Sequence, residues 1–237
     1  MANVLERVLY RGLRPLHGRE CPLCGWHGFK FLPIGVGHWR RDDGMCPFCM
    51  SRERHRLAYV VMKPVLAAGG WKTLHVAPEQ SIQKWLRSVS ADYLSIDLER
   101  PDVMRRMDLT DLQLPDASRT LVWCSHVLEH VPADAKALRE IHRVLAPGGL
   151  ALLQVPIEGE KTYEDPKITT PEARLKAFHQ EDHVRQYGID FIDRVRAAGF
   201  EVEVRRTADL PEALVRRHSL SYSMSNEVFI ARKSAAS

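Results

Sequence analysis

From residue 72 onward the apolar positions of this chain switch repeatedly between two periods. The segments "TLHVA" (73–77), "YLSIDLE" (93–99), "TLVWCSH" (120–126) and "LALLQVP" (150–156) are short apolar runs, the pattern of strands covered on both faces. "FEVEVRR" (200–206) and "EVFIARK" (227–233) add two more strands, and a short extended segment is expected within 102–109. Between them lie helical stretches. One starts near Arg52, is stopped or kinked at Pro64 and finishes at Gly69-Gly70, and a second covers 81–89. A third, "ADAKALREIHRVLA" (133–146), sets Ala135, Leu138, Ile141, His142 and Leu145 on one face and ends at Pro147-Gly148-Gly149. A fourth is expected over 182–198, up to Gly199. Strands and helices that alternate in this way predict an α/β fold with a mostly parallel sheet covered on both faces. No internal repeat is visible, and only the final "KSAAS" has the composition of a disordered tail.

The front of the chain follows other rules. Two knuckles, "CPLCG" with Cys21 and Cys24 and "CPFCM" with Cys46 and Cys49, are separated by 21 residues that hold little to form a core. Two pairs of thiolates at this spacing can close a tetrahedral Zn²⁺ site, and four protein ligands leave no coordination position for substrate. The metal is therefore expected to be structural, in a small zinc ribbon. His27 and His38 are expected at the surface or in packing, and Cys124, inside an apolar run, as a buried small hydrophobe. The expected domains are an N-terminal helical extension (1–18), the ribbon (19–51) and the α/β domain (52–237).

Charge and composition narrow the setting. Among 237 residues, 45% are apolar and 27% charged, as in an ordinary globular protein, and no apolar run reaches the roughly 20 residues of a membrane span. A cytoplasmic location without membrane contact is expected. Residues 1–63 carry 11 Lys/Arg against 5 Asp/Glu, so the net charge of +4 sits at the front. That density suits a solvated surface better than a nucleic-acid footprint, although Trp26, Phe29 and Trp39 beside Arg40-Arg41 leave room for one.

In an open parallel sheet a ligand lies beyond the carboxyl ends of the strands, where strand order reverses. The turn after the first strand is "APEQS" (77–81), and Asp97-Leu98 follows 20 residues after Ala77, at the spacing of an acid that accepts from ribose hydroxyls. After the third strand, the Asp108 carboxylate and the Leu109 backbone can pair with an adenine.

The segment "RTLVWCSHVLEHVPADAKALREIHRVLAPGGLALLQVP" (119–156) resembles the class I S-adenosylmethionine-dependent methyltransferases, in the group whose fourth strand runs into a V-L-E-H-V helix start and whose next helix ends in "V-L-x-P-G-G". The likeness extends over 72–233. It implies a seven-stranded Rossmann-like sheet whose last strand is antiparallel, S-adenosyl-L-methionine in the crevice, and transfer of its methyl group. Position by position it assigns Asp97 to the ribose and Asp108-Leu109 to the adenine, and it places Ser125 and His126 facing the methyl group.

The first strand departs from that family. Where an acid and three glycines are usual, this chain has His75, Ala77, Glu79 and Ser81. Pro78 is expected to drive Ala77 toward an extended conformation, and Glu79 could accept from the cofactor's ammonium group.

His126 is the candidate base or substrate-orienting group, and His130 and Glu129 are expected mainly to serve local structure. The connection 157–183 is long enough for a lid, with Tyr163, His179, His183 and Tyr187 in or beside it as candidate acceptor contacts. The expected acceptor is a small molecule, saccharide or peptide. The alternatives are RNA methylation with the ribbon as a nucleic-acid module, and a non-catalytic binding scaffold.

Overall fold

The structure is a computed structural model that describes residues 18–35, 40–221 and 226–235. Residues 1–17 of the expected helical extension, His38, Trp39 and the last two residues of the tail lie outside the described residues. The chain divides into two compact units, one of Met1–Ala68 with Glu79–Ser88 and Arg206–Asn226, the other of Gly69–Pro78, Val89–Arg205 and Glu227–Ser237.

The first unit begins with two antiparallel pairs: β1 (Arg19–Glu20) on β2 (His27–Gly28), and β3 (Leu32–Ile34) on β4 (Arg41–Met45). Helix α1 (Glu53–Val65) follows, and Pro64 falls inside its last turn. Arg56 on α1 is fully buried, with Phe31 packed 4.0 Å from its guanidinium carbon. It donates to four backbone carbonyls: Ser51 (2.7 Å), Gly44 (3.1 Å), His218 (2.7 Å) and Ser219 (2.9 Å). A guanidinium has no acceptor of its own and tolerates burial when its N–H groups are satisfied. The unit also holds most of α2 (Gln80–Val89), where Trp85 meets Tyr59 edge-on at 4.7 Å.

The second unit is built on seven strands: β5 (Trp71–Val76), β6 (Ser90–Asp97), β7 (Arg105–Arg106), β8 (Arg119–Ser125), β9 (Leu145–Gln154), β10 (Phe200–Arg206) and β11 (Glu227–Lys233), in the order β10-β11-β9-β8-β5-β6-β7. The pairs β5–β6, β5–β8, β6–β7 and β8–β9 are parallel, whereas β11 runs antiparallel to β9. On β8, Leu121, Val122, Trp123 and Cys124 are all buried, as a strand covered on both faces requires. Strand order reverses between β5 and β8.

Three connections differ from the sequence expectation. Helix α3 (Asp134–Val144) stops at once, and β9 already begins at Leu145; Pro147-Gly148-Gly149 is a bulge within the strand, where the register against β8 jumps from Arg119–Leu145 to Leu121–Leu150. The expected long helix over 182–198 is helical only over Phe191–Ala197. Residues 182–190 are irregular instead, with turns at 182 and 189–190 on either side of bridges from Tyr187 to Ile157 and from Gln186 to Tyr163. Backbone pairing there outweighs the apolar spacing that suggested a helix. The lid-like connection contains a helix of its own, Pro171–Phe178, capped by the Thr170 hydroxyl accepting from Ala173 N.

Arg185, only 4% exposed, fastens this connection to the segment after β8. It donates to the carbonyls of Leu128 (3.0 Å), Val131 (2.6 Å) and Pro132 (2.8 Å) and to the Glu164 carboxylate (2.8 Å). Asp134 accepts from the Tyr187 hydroxyl (2.8 Å) and from Arg194 (3.0 Å). Gly188 lets the strap lie flat, because a Cβ there would sit 2.4 Å from the Lys161 carbonyl carbon. Gly188→Ala is therefore expected to destabilise the protein by about 2 kcal/mol, seen as a lower urea midpoint; an unchanged midpoint would show that the strap can yield.

Candidate active site and cysteine cluster

The two central strands leave the sheet in the same unusual way. At the end of β5, Ala77 has φ +45° and donates its N–H to the Ile96 carbonyl (2.8 Å); at the end of β8, His126 has φ +54° and donates to the Gln154 carbonyl (2.8 Å). Each strand thus makes one last bond to its neighbour and turns through the left-handed region, at a cost of about 1–2 kcal/mol for a residue with a Cβ. The expectation of an extended Ala77 is thereby corrected. The steric bias of a following proline is overridden by the bond to Ile96 and the reversal it requires, and alanine is the smallest L-residue that can occupy a turn usually made by glycine.

Beyond these turns lies a crevice of about 500 Å³ at the carboxyl edge of the sheet. Val76 and Ala77 line it from the end of β5 and its turn, Asp97, Leu98 and Glu99 from the end of β6 and the residues after it, and Met107, Asp108 and Leu109 from the segment after β7. His126, Val127, His130 and Val131 line it from the segment after β8, and Asp182 completes it. Asp97 is fixed by its own turn, its Oδ1 accepting from Glu99 N (2.9 Å) and Arg100 N (3.0 Å). Asp108 is held likewise, its Oδ1 accepting from Thr110 N (2.7 Å). Pro78 contributes its carbonyl, which accepts from Arg100 (2.9 Å).

Of the residues singled out in the sequence, Ala77, Asp97, Leu98, Asp108, Leu109, His126 and His130 line this crevice. His75 and Ser125 are buried below it, His75 Nδ1 on the Tyr93 hydroxyl (2.8 Å) and Ser125 on Gln154 Oε1 (3.2 Å). Glu79 belongs to the first unit, its Oε1 3.8 Å from His55 Nε2. Tyr163 is half exposed and packs on Phe178. His179 ends its helix with φ +66° and lies 3.2 Å from Glu158. Tyr187 is fully buried as part of the strap, and burial pushes its phenol well above the usual range.

Glu129 and His183 are also buried, at 1% and 3% exposure. His126 Nδ1 lies 3.1 Å from Glu129 Oε1, and His130 Nδ1 lies 3.2 Å from Asp182. Burial raises the Glu129 pKa, but the hydrogen bond with His126 and the fields of His126 and His130 outweigh it, so the carboxylate stays ionised more readily than usual. Arg185 carries no signal in the sequence, because its role depends on carbonyls more than fifty residues away.

In the first unit the two cysteine knuckles have the same shape. Gly25 N donates to the Cys21 carbonyl (2.9 Å) and Met50 N to the Cys46 carbonyl (3.0 Å), and both Gly25 and Met50 have positive φ. The four sulfurs lie within 4.8 Å of one another, Cys21 to Cys49 at 3.5 Å and Cys24 to Cys46 at 3.7 Å, and Ser51 Oγ reaches Cys21 and Cys49. All five cysteines are free thiols, and Cys124 is buried as expected. A second cleft in this unit, about 620 Å³, is lined by charges already engaged in ion pairs, Arg217 with Glu20 and Arg216 with Glu212.

Residues 74–153, about a third of the chain, match the methyltransferase domain family. A protein of Mycolicibacterium smegmatis named "Probable S-adenosylmethionine-dependent methyltransferase" is 33% identical over 115 residues, which are 48% of this chain and 39% of that protein. The chain therefore spans well under half the length of this curated relative. Among solved structures, an S-adenosylmethionine-dependent methyltransferase from Mesorhizobium loti has a TM-score of 0.53 at 19% identity, over 75% of this chain and all of the other. A Burkholderia thailandensis 1,6-didemethyltoxoflavin-N1-methyltransferase, bound to its substrate and S-adenosylhomocysteine, has a TM-score of 0.54 at 16% identity, over 76% and 78%. The [4+2]-cyclase SpnF has a TM-score of 0.58 at 16% identity, over 98% and 93%. These likenesses are of fold, and the second unit has the Rossmann-like methyltransferase architecture.

Because the turn at Ala77 is made against the preference of its Cβ, Ala77→Gly is expected to raise stability by about 1 kcal/mol. Chemical denaturation would register this as a higher midpoint, and a lower one would mean that the left-handed turn is absent in solution.

Proposed function

We propose that this protein is an S-adenosylmethionine-dependent methyltransferase. The observation that carries the reading is the crevice at the strand-order reversal, with Asp97 and Asp108 at or just after the ends of successive strands, inside the stretch that matches the methyltransferase domain. With Oδ1 of Asp97 committed to its turn, Oδ2 would accept from the ribose hydroxyls. Met107 and Leu109 form an apolar wall for the adenine, and the Asp108 carboxylate would accept from its amino group. Ala77 leaves space where a larger side chain would fill the mouth of the first turn.

The cofactor, when bound, supplies a methyl group on a sulfonium that is already an activated leaving group. This chain's residues then have to align the acceptor and, where the acceptor carries a proton, remove it. His126, which lines the crevice, would take that role. Glu129 orients the ring through Nδ1, which leaves Nε2 as the basic nitrogen of the neutral imidazole.

In the first unit, Cys21, Cys24, Cys46 and Cys49 would hold a structural Zn²⁺. Bonds of about 2.3 Å in a tetrahedron set sulfurs about 3.8 Å apart, close to the 3.5 Å and 3.7 Å separations of the two pairs. The acceptor we favour is a small molecule, saccharide or peptide. Arg40 and Arg41, the basic residues considered for nucleic acid, are engaged by Asp42 (3.0 Å) and Glu53 (2.7 Å), and Trp26 is buried.

Calorimetric titration with S-adenosylhomocysteine tests the reading. Wild type and Glu79→Gln are expected to bind alike, and Asp97→Asn at least about tenfold more weakly, the loss of charged hydrogen bonds. No binding by wild type, or equal binding by Asp97→Asn, would overturn it.

A further inference from the structure

The segment after β8 carries polar atoms that the methyl-transfer reading does not use. Glu129 Oε2 and His183 Nε2 are both buried, and neither has a hydrogen-bond partner among the described residues. Leaving two such atoms dry costs about 1–3 kcal/mol each, and the fold spends further interactions on holding them there. Val184 N donates to the Glu129 carbonyl (2.9 Å), and Arg185 fastens the same strap to Leu128 and Val131. A carboxylate oxygen of Glu129, a ring nitrogen of His130 and one of His183 all come within 4.8 Å of one another. The two imidazoles meet edge to face at 4.7 Å.

We propose that Glu129, His130 and His183 form a second metal site, distinct from the cysteine cluster, that binds a divalent transition-metal ion such as Zn²⁺. Two imidazoles and a carboxylate are a three-ligand donor set suited to Zn²⁺ with a position left open. The groups around the ligands fit that role. His126 holds the other oxygen of Glu129, and Asp182 lies against His130. Partners of this kind fix the tautomer and orientation of a ligating histidine. Nε2 of His183 is a buried ring nitrogen with no hydrogen-bond partner among the described residues. Bonds of about 2.1 Å hold tetrahedral ligand atoms about 3.4 Å apart, so the three side chains need to close by little more than an ångström.

His130 lines the crevice, whereas Glu129 and His183 are buried, so the open position faces the crevice. An acceptor hydroxyl bound there would be acidified by the metal. Its proton would pass to His126, its oxygen would form the bond to the methyl carbon, and the carbon–sulfur bond would break with its electron pair moving to sulfur, giving a neutral thioether. The acceptor is thus an oxygen nucleophile. That last statement rests on the methyl-transfer reading, whereas the metal site does not.

The test is a zinc count on full-length protein equilibrated with buffered Zn²⁺ and measured by plasma mass spectrometry. Wild type is expected to hold one equivalent more than Glu129→Gln, His130→Ala and His183→Asn. His130 is a third exposed, so its variant guards against a folding failure at the buried positions, and circular dichroism confirms the fold of each. Cys24→Ser should lose zinc independently of all three. The same zinc content in wild type and the three variants would overturn the proposal. S-adenosylhomocysteine titration of the same samples separates the readings: a missing extra equivalent with normal cofactor binding overturns the metal site alone, and an extra equivalent without cofactor binding upholds it while removing methyl transfer.

Discussion

A parallel sheet can open a ligand crevice only if the chain leaves its central strands by turning sharply instead of running on across the edge. In this protein that constraint is met at Ala77 and His126, each in the left-handed region and each tied by its N–H to the carbonyl of a neighbouring strand. The turns lie on the two strands between which strand order reverses, so they set both walls of the crevice. Strain here is offset by a hydrogen bond to the sheet. The sterically demanding histidine stands where a functional side chain can face the crevice, and the smallest available side chain stands at the other turn.

The two units share a second device, a buried guanidinium that gathers backbone carbonyls. Arg56 collects the carbonyls of Gly44, Ser51, His218 and Ser219 in the first unit, and Arg185 those of Leu128, Val131 and Pro132 in the second. Five donors in a fixed plane can satisfy several chain reversals at once, which no neutral side chain can do. In the second unit this fixes the segment that carries Glu129 and His130, and with it the floor on which His126 stands.

Much of the frame was legible in the sequence. Buried parallel strands write themselves as apolar runs, and the paired cysteines announce a cluster through spacing alone; that Asp97 and Asp108 line the crevice follows from their places at or just after strand ends. Other features depended on partners far along the chain. Residues 182–190 have apolar spacing compatible with a helix, yet Gln186 and Tyr187 bridge to Tyr163 and Ile157 between turns, and those partners lie more than twenty residues away in sequence. Arg185 looks like a surface charge until its carbonyls are located. Ala77 was misjudged because proline's local bias is readable in sequence whereas the bond to Ile96 is not. Nothing in the sequence brings His183 beside Glu129 and His130, more than fifty residues away.

The most direct measurement is a crystal structure of the protein with S-adenosylhomocysteine. Ala77 is expected to remain left-handed, Asp97 to accept from the ribose hydroxyls, and the adenine to lie along Met107 and Leu109. A ligand bound elsewhere, or a turn at Ala77 and Pro78 that fills the crevice, would contradict it.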